Sequence, residues 1–243
     1  MLISSHGILA SGGTQLFDTT SFIYDGVDDY METNVNYTML DNQQQFSISL
    51  WVKLNDMTTA QRLVYLVGGR RLFMYVRSTG VVDASIRSSS YFIRSNTGAI
   101  TLGNWHHIVW TYDGTQTRYQ RYKLYIDGIS NVASNAGSTS TVLQTFTAPL
   151  NVGLVSGRYL NANINELAFW KIPITPAEVL AIYNNGKASN LNNLPSGGAP
   201  PQNWWRSENA TFNGTNWAVP DTNGLFPITT SNMGINSIVN DVP

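Results

Sequence analysis

Phe46, Ile48, Leu50 and Val52 alternate with Ser47, Ser49, Trp51 and Lys53, the two-residue period of a strand that buries one face. The period recurs at 70–77, with Leu72, Met74 and Val76 on one side and Arg71, Phe73, Tyr75 and Arg77 on the other. Further strands are predicted at 81–87, 91–95, 105–112, 121–127, 150–155 and 163–171. Turn chemistry separates most of them: Gly68-Gly69, Ser78-Thr79-Gly80, Asp113-Gly114 and Asp127-Gly128. Many short strands joined by Gly-rich turns predict an all-β protein, a two-sheet antiparallel jelly-roll sandwich.

One segment has helical signals. Thr175 supplies an N-cap, Pro176 the first helical position and Glu178 the third, and Val179, Leu180, Ile182 and Tyr183 follow as an apolar stripe that stops near Gly186. The pattern predicts a single short helix lying on a sheet. Leu194-Pro-Ser-Gly-Gly-Ala-Pro-Pro201 then breaks all periodicity and reads as a linker. The division that follows is an N-terminal arm at 1–19, a jelly-roll domain at 20–194, and a linker with a C-terminal tail at 195–243. The tail is expected to be mostly irregular. Yet it holds Trp204, Trp205, Phe212, Trp217 and Phe226, rings that a disordered segment rarely carries, so it is expected to pack on its own domain or on a neighbouring subunit, with Trp204, Trp205 and Trp217 as anchors.

Composition narrows the classes. A chain of 243 residues is long enough for one large sandwich core. Cysteine is absent, which removes disulfides and thiolate metal sites, and packed apolar area must hold the fold. Net charge is −1, giving no global attraction to nucleic acid or membrane. The opening Met1-Leu-Ile-Ser-Ser-His6-Gly lacks the basic flank of a secretion signal, and no run reaches the length of a membrane span. The expectation is a soluble chain made in a host cytoplasm without a signal peptide.

Five segments in order carry a resemblance: Phe22-Ile-Tyr-Asp-Gly26-Val-Asp-Asp-Tyr30, Ser49-Leu-Trp51-Val-Lys53, Asn104-Trp-His-His-Ile-Val109, Leu124-Tyr-Ile-Asp-Gly128, and Ile164-Asn-Glu-Leu167 with the capped helix. Together, over about 20–187, they resemble the laminin-G-like branch of the concanavalin A-like lectin and glucanase domains. That resemblance implies ligand or partner sites on the concave face or rim loops. The flanks, Ser5 to Gly12, Trp204 to Phe212, Trp217 to Asp221 and Asn232 to Pro243, resemble segments of virion structural proteins of marine tailed bacteriophages. This second resemblance implies a virion component, a capsid decoration or fibre part, whose partners are other virion proteins and further copies of itself in a symmetric homo-oligomer.

Enzymatic relatives of such a fold place two carboxylates about 5 Å apart, at alternating positions of one strand. After Glu166 those positions hold Ala168 and Trp170, and the chain has only four glutamates, so no catalytic residue is assigned and the protein is read as a non-enzyme. His106 and His107 are adjacent and point to opposite faces of a strand, which excludes joint chelation; with His6 they read as hydrogen-bonded structural residues. The resemblance also implies a structural calcium site, for which Asp25, Asp28, Asp29 and Glu166 are the candidates. Asn165 stands where relatives carry aspartate and removes a charge from it, so no metal or cofactor is assigned.

Charge distribution gives the sharpest lead. Residues 1–61 carry seven acidic groups and one lysine, whereas 62–123 carry nine Lys and Arg against two aspartates, a concentration that calls for a partner. Arg71, Phe73, Tyr75 and Arg77 interleave cations with rings on one strand face. Such a surface is suited to pairing with the acidic N-terminal strands, to a protein interface, or to glycans, including acidic ones. Two functions follow: a non-enzymatic virion structural protein, or a carbohydrate-binding adhesion module for host-surface glycans.

Overall fold

The computed structural model describes residues 18–68, 71–86, 91–194 and 197–243. Most of the N-terminal arm with His6, the second glycine of Gly68-Gly69 and the ends of the predicted 70–77 and 81–87 strands lie outside the described residues. Two large antiparallel sheets form a concanavalin A-like jelly roll. The eight-stranded sheet runs Ile129–Ser130, Tyr122–Ile126, Trp105–Asp113, Gln45–Leu54, Asn161–Trp170, Ser21–Asp25 and Ile238–Val239, and Asn203–Trp205 also pairs with Asn161–Trp170. The ten-stranded sheet runs Ser134–Asn135, Phe92–Arg94, Val82–Ile86, Leu72–Val76, Gln61–Gly68, Phe146–Val152, Tyr30–Thr33, Ile228–Ser231, Trp217–Val219 and Thr211–Phe212.

Alternation sets what the sheets bury between them. Phe46, Ile48, Leu50 and Val52 meet Leu66, Leu72, Met74 and Val76 in one continuous core. Asp127 at φ +52° and Gly128 at φ +79° form the two-residue turn that Asp-Gly favours, because both central residues of that turn need positive φ. Ile126 and Ile129 then pair directly across it.

The eight-stranded sheet departs from the expected single buried face. Ser47, Ser49 and Trp51, on the side away from the main core, are also buried. The helix Pro176–Tyr183 and the chain after it cover that side with a second core of Val109, Tyr125, Trp170, Val179, Ile182, Leu191 and Trp204. Trp51 stacks on Tyr183 at 5.7 Å. The helix begins with the predicted reciprocal cap: the Thr175 hydroxyl accepts from the Glu178 amide and the Glu178 carboxylate accepts from the Thr175 amide. Of the predicted stripe, Val179 and Ile182 are buried but Leu180 is exposed, since only one side of so short a helix touches the sheet.

The chain beyond 202 is mostly irregular, as expected, but short strands tie it into both sheets. Asn203–Trp205 and Ile238–Val239 enter the eight-stranded sheet, and Thr211–Phe212, Trp217–Val219 and Ile228–Ser231 extend the other. Strands of two to four residues are too short to show a period in sequence. As neighbours in a strand, Trp204 and Trp205 point to opposite faces, so Trp204 joins the second core and Trp205 the main one. Trp205 Nε1 donates to Phe226 O at 2.9 Å, and Trp217 Nε1 to Gly234 O at 2.9 Å. Asp241 closes the tail on the first half of the chain by accepting from Lys53 Nζ and from Trp105 Nε1. Trp205→Ala should lower stability by about 3–5 kcal/mol through lost burial and a residual cavity, and Asp241→Ala by about 1 kcal/mol. Urea unfolding checks both; a Trp205→Ala loss under about 1 kcal/mol would show that the tail is not part of the core.

Candidate functional site

The outer face of the ten-stranded sheet is built by register. Arg62, Tyr75, Asp83 and Arg94 face one another across four adjacent strands, and Tyr65, Phe73, Ser85 and Phe92 form the next row. Phe73 and Tyr75 stack at 5.6 Å between ring centroids. Arg62 lies 4.6 Å and Arg77 5.6 Å from the Tyr75 ring, and Arg94 lies 3.6 Å from the Phe92 ring, all within cation–π range. Of the four residues named from sequence, Phe73, Tyr75 and Arg77 come together here. Arg71 is exposed and precedes the Leu72–Val76 strand.

Asp83 organises the cations. It is buried, and its Oδ2 accepts from Tyr75 Oη at 3.0 Å, Arg94 Nε at 2.9 Å and Arg77 Nε at 3.2 Å, with Arg77 Nη2 closer still. The arginines therefore do not pair with the acidic N-terminal strands, one of the expected outlets: the only carboxylate they engage among the described residues comes from the adjacent strand of their own basic segment. Those bonds hold the Arg77 guanidinium above its ordinary pKa, and burial, then Asp83, raises the Tyr75 phenol. Among the described residues Arg62 has no carboxylate partner. Its Nε is buried without a hydrogen bond, and burial depresses its pKa, with Arg158 and Arg77 adding repulsion.

Sequence reading missed Arg62, Asp83, Phe92 and Arg94. The i, i+2 spacing of Phe92 and Arg94 was the available signal. At Arg62, a register shift between Arg62 and Val64 hides the alternation.

Glu166 lies elsewhere. It is buried, with Trp204 Nε1 donating to Oε2 at 2.5 Å and Arg206 Nε to Oε1 at 3.0 Å. Asp18 and Glu208 approach it, carboxylate atoms of the three lying within 4.8 Å of one another. Counting alternate positions after Glu166 could not find these neighbours, because they come from distant segments. They are not poised as an acid and a nucleophile: Glu166 is shut from solvent, and Glu208 Oε1 accepts from the amides of Thr19 and Thr20. Asp25, Asp28 and Asp29 also converge within 4.8 Å, oxygen donors of the kind calcium takes. Two of these carboxylates bond the turn's own amides: Asp25 Oδ1 accepts from Val27 and Asp28, and Asp29 Oδ2 from Asp25. Because Glu166 sits with Arg206 instead, the four expected calcium ligands do not fit one site, and Arg206 supplies the cation that Glu166 needs.

The histidines hold structure. His106 Nδ1 bonds Asp127 Oδ2 at 2.8 Å and its Nε2 meets Thr101, while His107 Nε2 bonds Ser49 Oγ at 2.7 Å under Trp51. A hollow of about 340 Å³ beside the helix start is lined by Thr111, Asp113, Arg121, Lys123 and Pro176 among others. It has no aromatic platform, and Arg121 is spent on the carbonyls of Gln116 and Ser138.

With the two sheets, the helix and the faces described, the class follows. The chain belongs to the concanavalin A-like lectin/glucanase superfamily, whose laminin-G family model matches residues 25–180. No protein of curated function matches the sequence. Among solved structures, a Bacteroides ovatus protein assigned to carbohydrate binding superposes with a TM-score of 0.64 at 13% identity, over 93% of this chain and 60% of that one. The present chain thus spans about three-fifths of that relative's length. A heptameric SAP-like pentraxin of Limulus polyphemus gives 0.51 at 15% identity over 70% and 83% of the two chains. The CBM40 of the Ruminococcus gnavus IT-sialidase, bound to α2,3-sialyllactose, gives 0.50 at 11% over 67% and 97%. At these identities the likeness is one of fold.

Three buried groups give opposing pH dependences. Burial pushes Glu166 up from 4.5 to about 7, against Arg206 and Trp204, and pushes Asp29 up from 3.8 to about 6, aided by Asp25 and Asp28. Burial pushes His107 down from 6.5 to about 3, against Asp127. A raised carboxyl holds a proton in the folded state that the unfolded chain has released, so its contribution is lost as pH rises through 4.5 to 7 for Glu166. His107 acts the other way: below 6.5 the unfolded chain takes up a proton that the folded state refuses, so stability is lost as pH falls toward 3. Between pH 6 and 4.5 two raised carboxyls act against one depressed histidine, so wild-type stability should rise on acidification, and Glu166→Gln, in which Asp29 and His107 offset each other, should stay nearly flat over that range. Urea midpoints across pH measure this; parallel profiles for the two proteins would rule out a raised Glu166.

Proposed function

We propose that this chain is a non-enzymatic carbohydrate-binding module that takes glycans on the outer face of the ten-stranded sheet. The observation that carries the reading is the Arg62, Tyr75, Arg77, Phe92 and Arg94 constellation, where half-buried rings and arginine N–H donors converge on a rigid sheet. Sugars are held by such combinations of flat apolar surface and fixed polar groups. The carbohydrate-binding descriptions of the Bacteroides and Ruminococcus structures lend support from fold alone. The burial and partners of Glu166 support the non-enzymatic part, and a polysaccharide hydrolysis assay tests it directly. Glycan-array binding should be detectable for the wild type and should weaken about tenfold or more in Tyr75→Ala and Arg77→Ala. Absence of signal on every glycan at high protein concentration would refute the reading.

A virion location, with other virion proteins and further copies of the chain as partners, is a second reading. Its support is the resemblance of Trp204–Phe212, Trp217–Asp221 and Asn232–Pro243 to virion proteins, segments that are integral to the sandwich. A sandwich module in a particle can also bind glycans, so the two readings coexist. Peptide mass spectrometry of purified particles tests the location, and its absence from them would end that reading.

A further inference from the structure

We propose that the ligand of the ten-stranded sheet's outer face is an extended glycan bearing carboxylates, a polyuronate-type chain, held by Arg62, Arg77 and Arg94; this rests on the carbohydrate-binding reading above. The first ground is the covering of the rings. Arg62 and Arg77 lie over Tyr75, and Arg94 lies 3.6 Å from the centre of the Phe92 ring. A neutral sugar needs a bare aromatic face to stack on, and here guanidiniums lie over the Tyr75 and Phe92 rings while Phe73 stacks on Tyr75. Arg77 spends Nε and Nη2 on Asp83 and Tyr75, so the N–H groups left for a ligand are chiefly the terminal ones of Arg94, with Arg62 beside them.

The second ground is an imbalance of charge. Against Arg62, Arg77 and Arg94, with Arg158 close enough to repel Arg62, the row sets a single carboxylate, Asp83, which pairs with Arg77 and Arg94 but not with Arg62. All the bonds from Arg77 and Arg94 to it converge on one oxygen. Arg94 spends only Nε there, and its two terminal nitrogens carry no hydrogen bond among the described residues. Arg62 keeps a buried, unpartnered Nε. A guanidinium fork matches the two oxygens of a carboxylate, and such charge-assisted pairs are about twice as strong as neutral ones. The overall charge of −1 makes this a local property of one face and not a general cationic surface.

The third ground is extent. Arg62, Tyr75, Asp83 and Arg94 occupy successive strands, so the cationic row spans roughly 14 Å at the usual strand spacing. That favours a chain crossing the strands over a single sugar. Single-stranded nucleic acid also tracks cations, but it binds by stacking bases on open aromatic faces, and cations lie over the Tyr75 and Phe92 rings.

The test uses the full chain against polygalacturonate, the same polymer after reduction of its carboxyls to alcohols, dextran sulfate and a single-stranded oligonucleotide. Wild type should bind polygalacturonate, with affinity falling as salt rises, and should not bind the reduced polymer. Arg62→Gln and Arg94→Gln should each weaken binding about tenfold, and Arg94→Lys should recover only part of the loss because it restores charge without the fork. Arg62 has no ion pair to lose, so Arg62→Gln keeps the test meaningful if Arg94→Gln is unstable. Equal binding of native and reduced polymer would overturn the carboxylate assignment and leave the carbohydrate reading standing. Tighter binding of dextran sulfate or the oligonucleotide would overturn it in favour of a general polyanion surface. Failure to bind either polymer or any neutral glycan would overturn both.

Discussion

One residue inserted in the central strand sets up the rest of the molecule. In Asn161–Trp170, Asn165 faces Trp51 but Ala168 faces Ser49, so Glu166 and Leu167 together oppose Leu50. Glu166 takes φ +53°, a conformation that costs a residue other than glycine on the order of 1 kcal/mol or more. The bulge flips the face of every later side chain: Ala162 and Ile164 point into the main core before it, Leu167 and Phe169 after it. It also changes the partner strand, from Ser21–Asp25 below to Asn203–Trp205 above. What offsets the strain is the pair of indoles brought in by that switch. A tryptophan buries roughly 150–250 Å², worth about 4–6 kcal/mol at 25 cal/mol per Å² before ordering entropy is subtracted. The buried Glu166 and Arg206 pair is a weak source of stability, because desolvating both ions consumes most of their attraction. Its effect is on register: a strand slipped by one residue would leave the carboxylate in the core without its guanidinium.

Because the returning chain and the helix cover the outer side of the eight-stranded sheet, the two sheets are left unequal. Ser47, Ser49, Trp51, Val109 and Trp170 are all buried there. The corresponding residues of the ten-stranded sheet, Tyr65, Phe73, Tyr75, Phe92 and Arg94, keep intermediate exposure. A face of that kind on a rigid sheet holds its side chains without help from mobile loops, and positioned donors bind at lower entropic cost than donors that must first be ordered.

Legibility in the sequence followed the range of the interactions. The long strands and the helix cap depend on neighbours one to four positions away, so Phe46 to Lys53 and Thr175 to Glu178 announced themselves. Two of the tail strands depend on pairing across more than a hundred residues, as in Ile228 opposite Thr33 and Ile238 opposite Phe22, and two to four residues cannot encode that locally. The site divides in the same way. Phe73, Tyr75 and Arg77 were visible as an i, i+2 series on one strand. Arg62 and Asp83 belong to neighbouring strands, and only register places them beside Tyr75. The calcium candidates came together only in part, for the converse reason: Asp25, Asp28 and Asp29 converge, whereas Glu166, grouped with them by a shared motif order, was turned by the bulge toward Arg206.

Asp83 explains how a crowded cationic face can be stable and yet remain available. Without a counter-charge, adjacent arginines on neighbouring strands would repel and turn outward to solvent. One buried carboxylate, satisfied by Tyr75 as well as by two guanidiniums, fixes Nε and Nη2 of Arg77 and Nε of Arg94. A second carboxylate in the row would neutralise the remaining donors and give a closed internal salt-bridge network. A single one orients the arginines and leaves positive charge over. The half-satisfied state is therefore a property of the register, four strands that contribute three arginines, one tyrosine and one aspartate, and a ligand carboxylate is the group that would complete it.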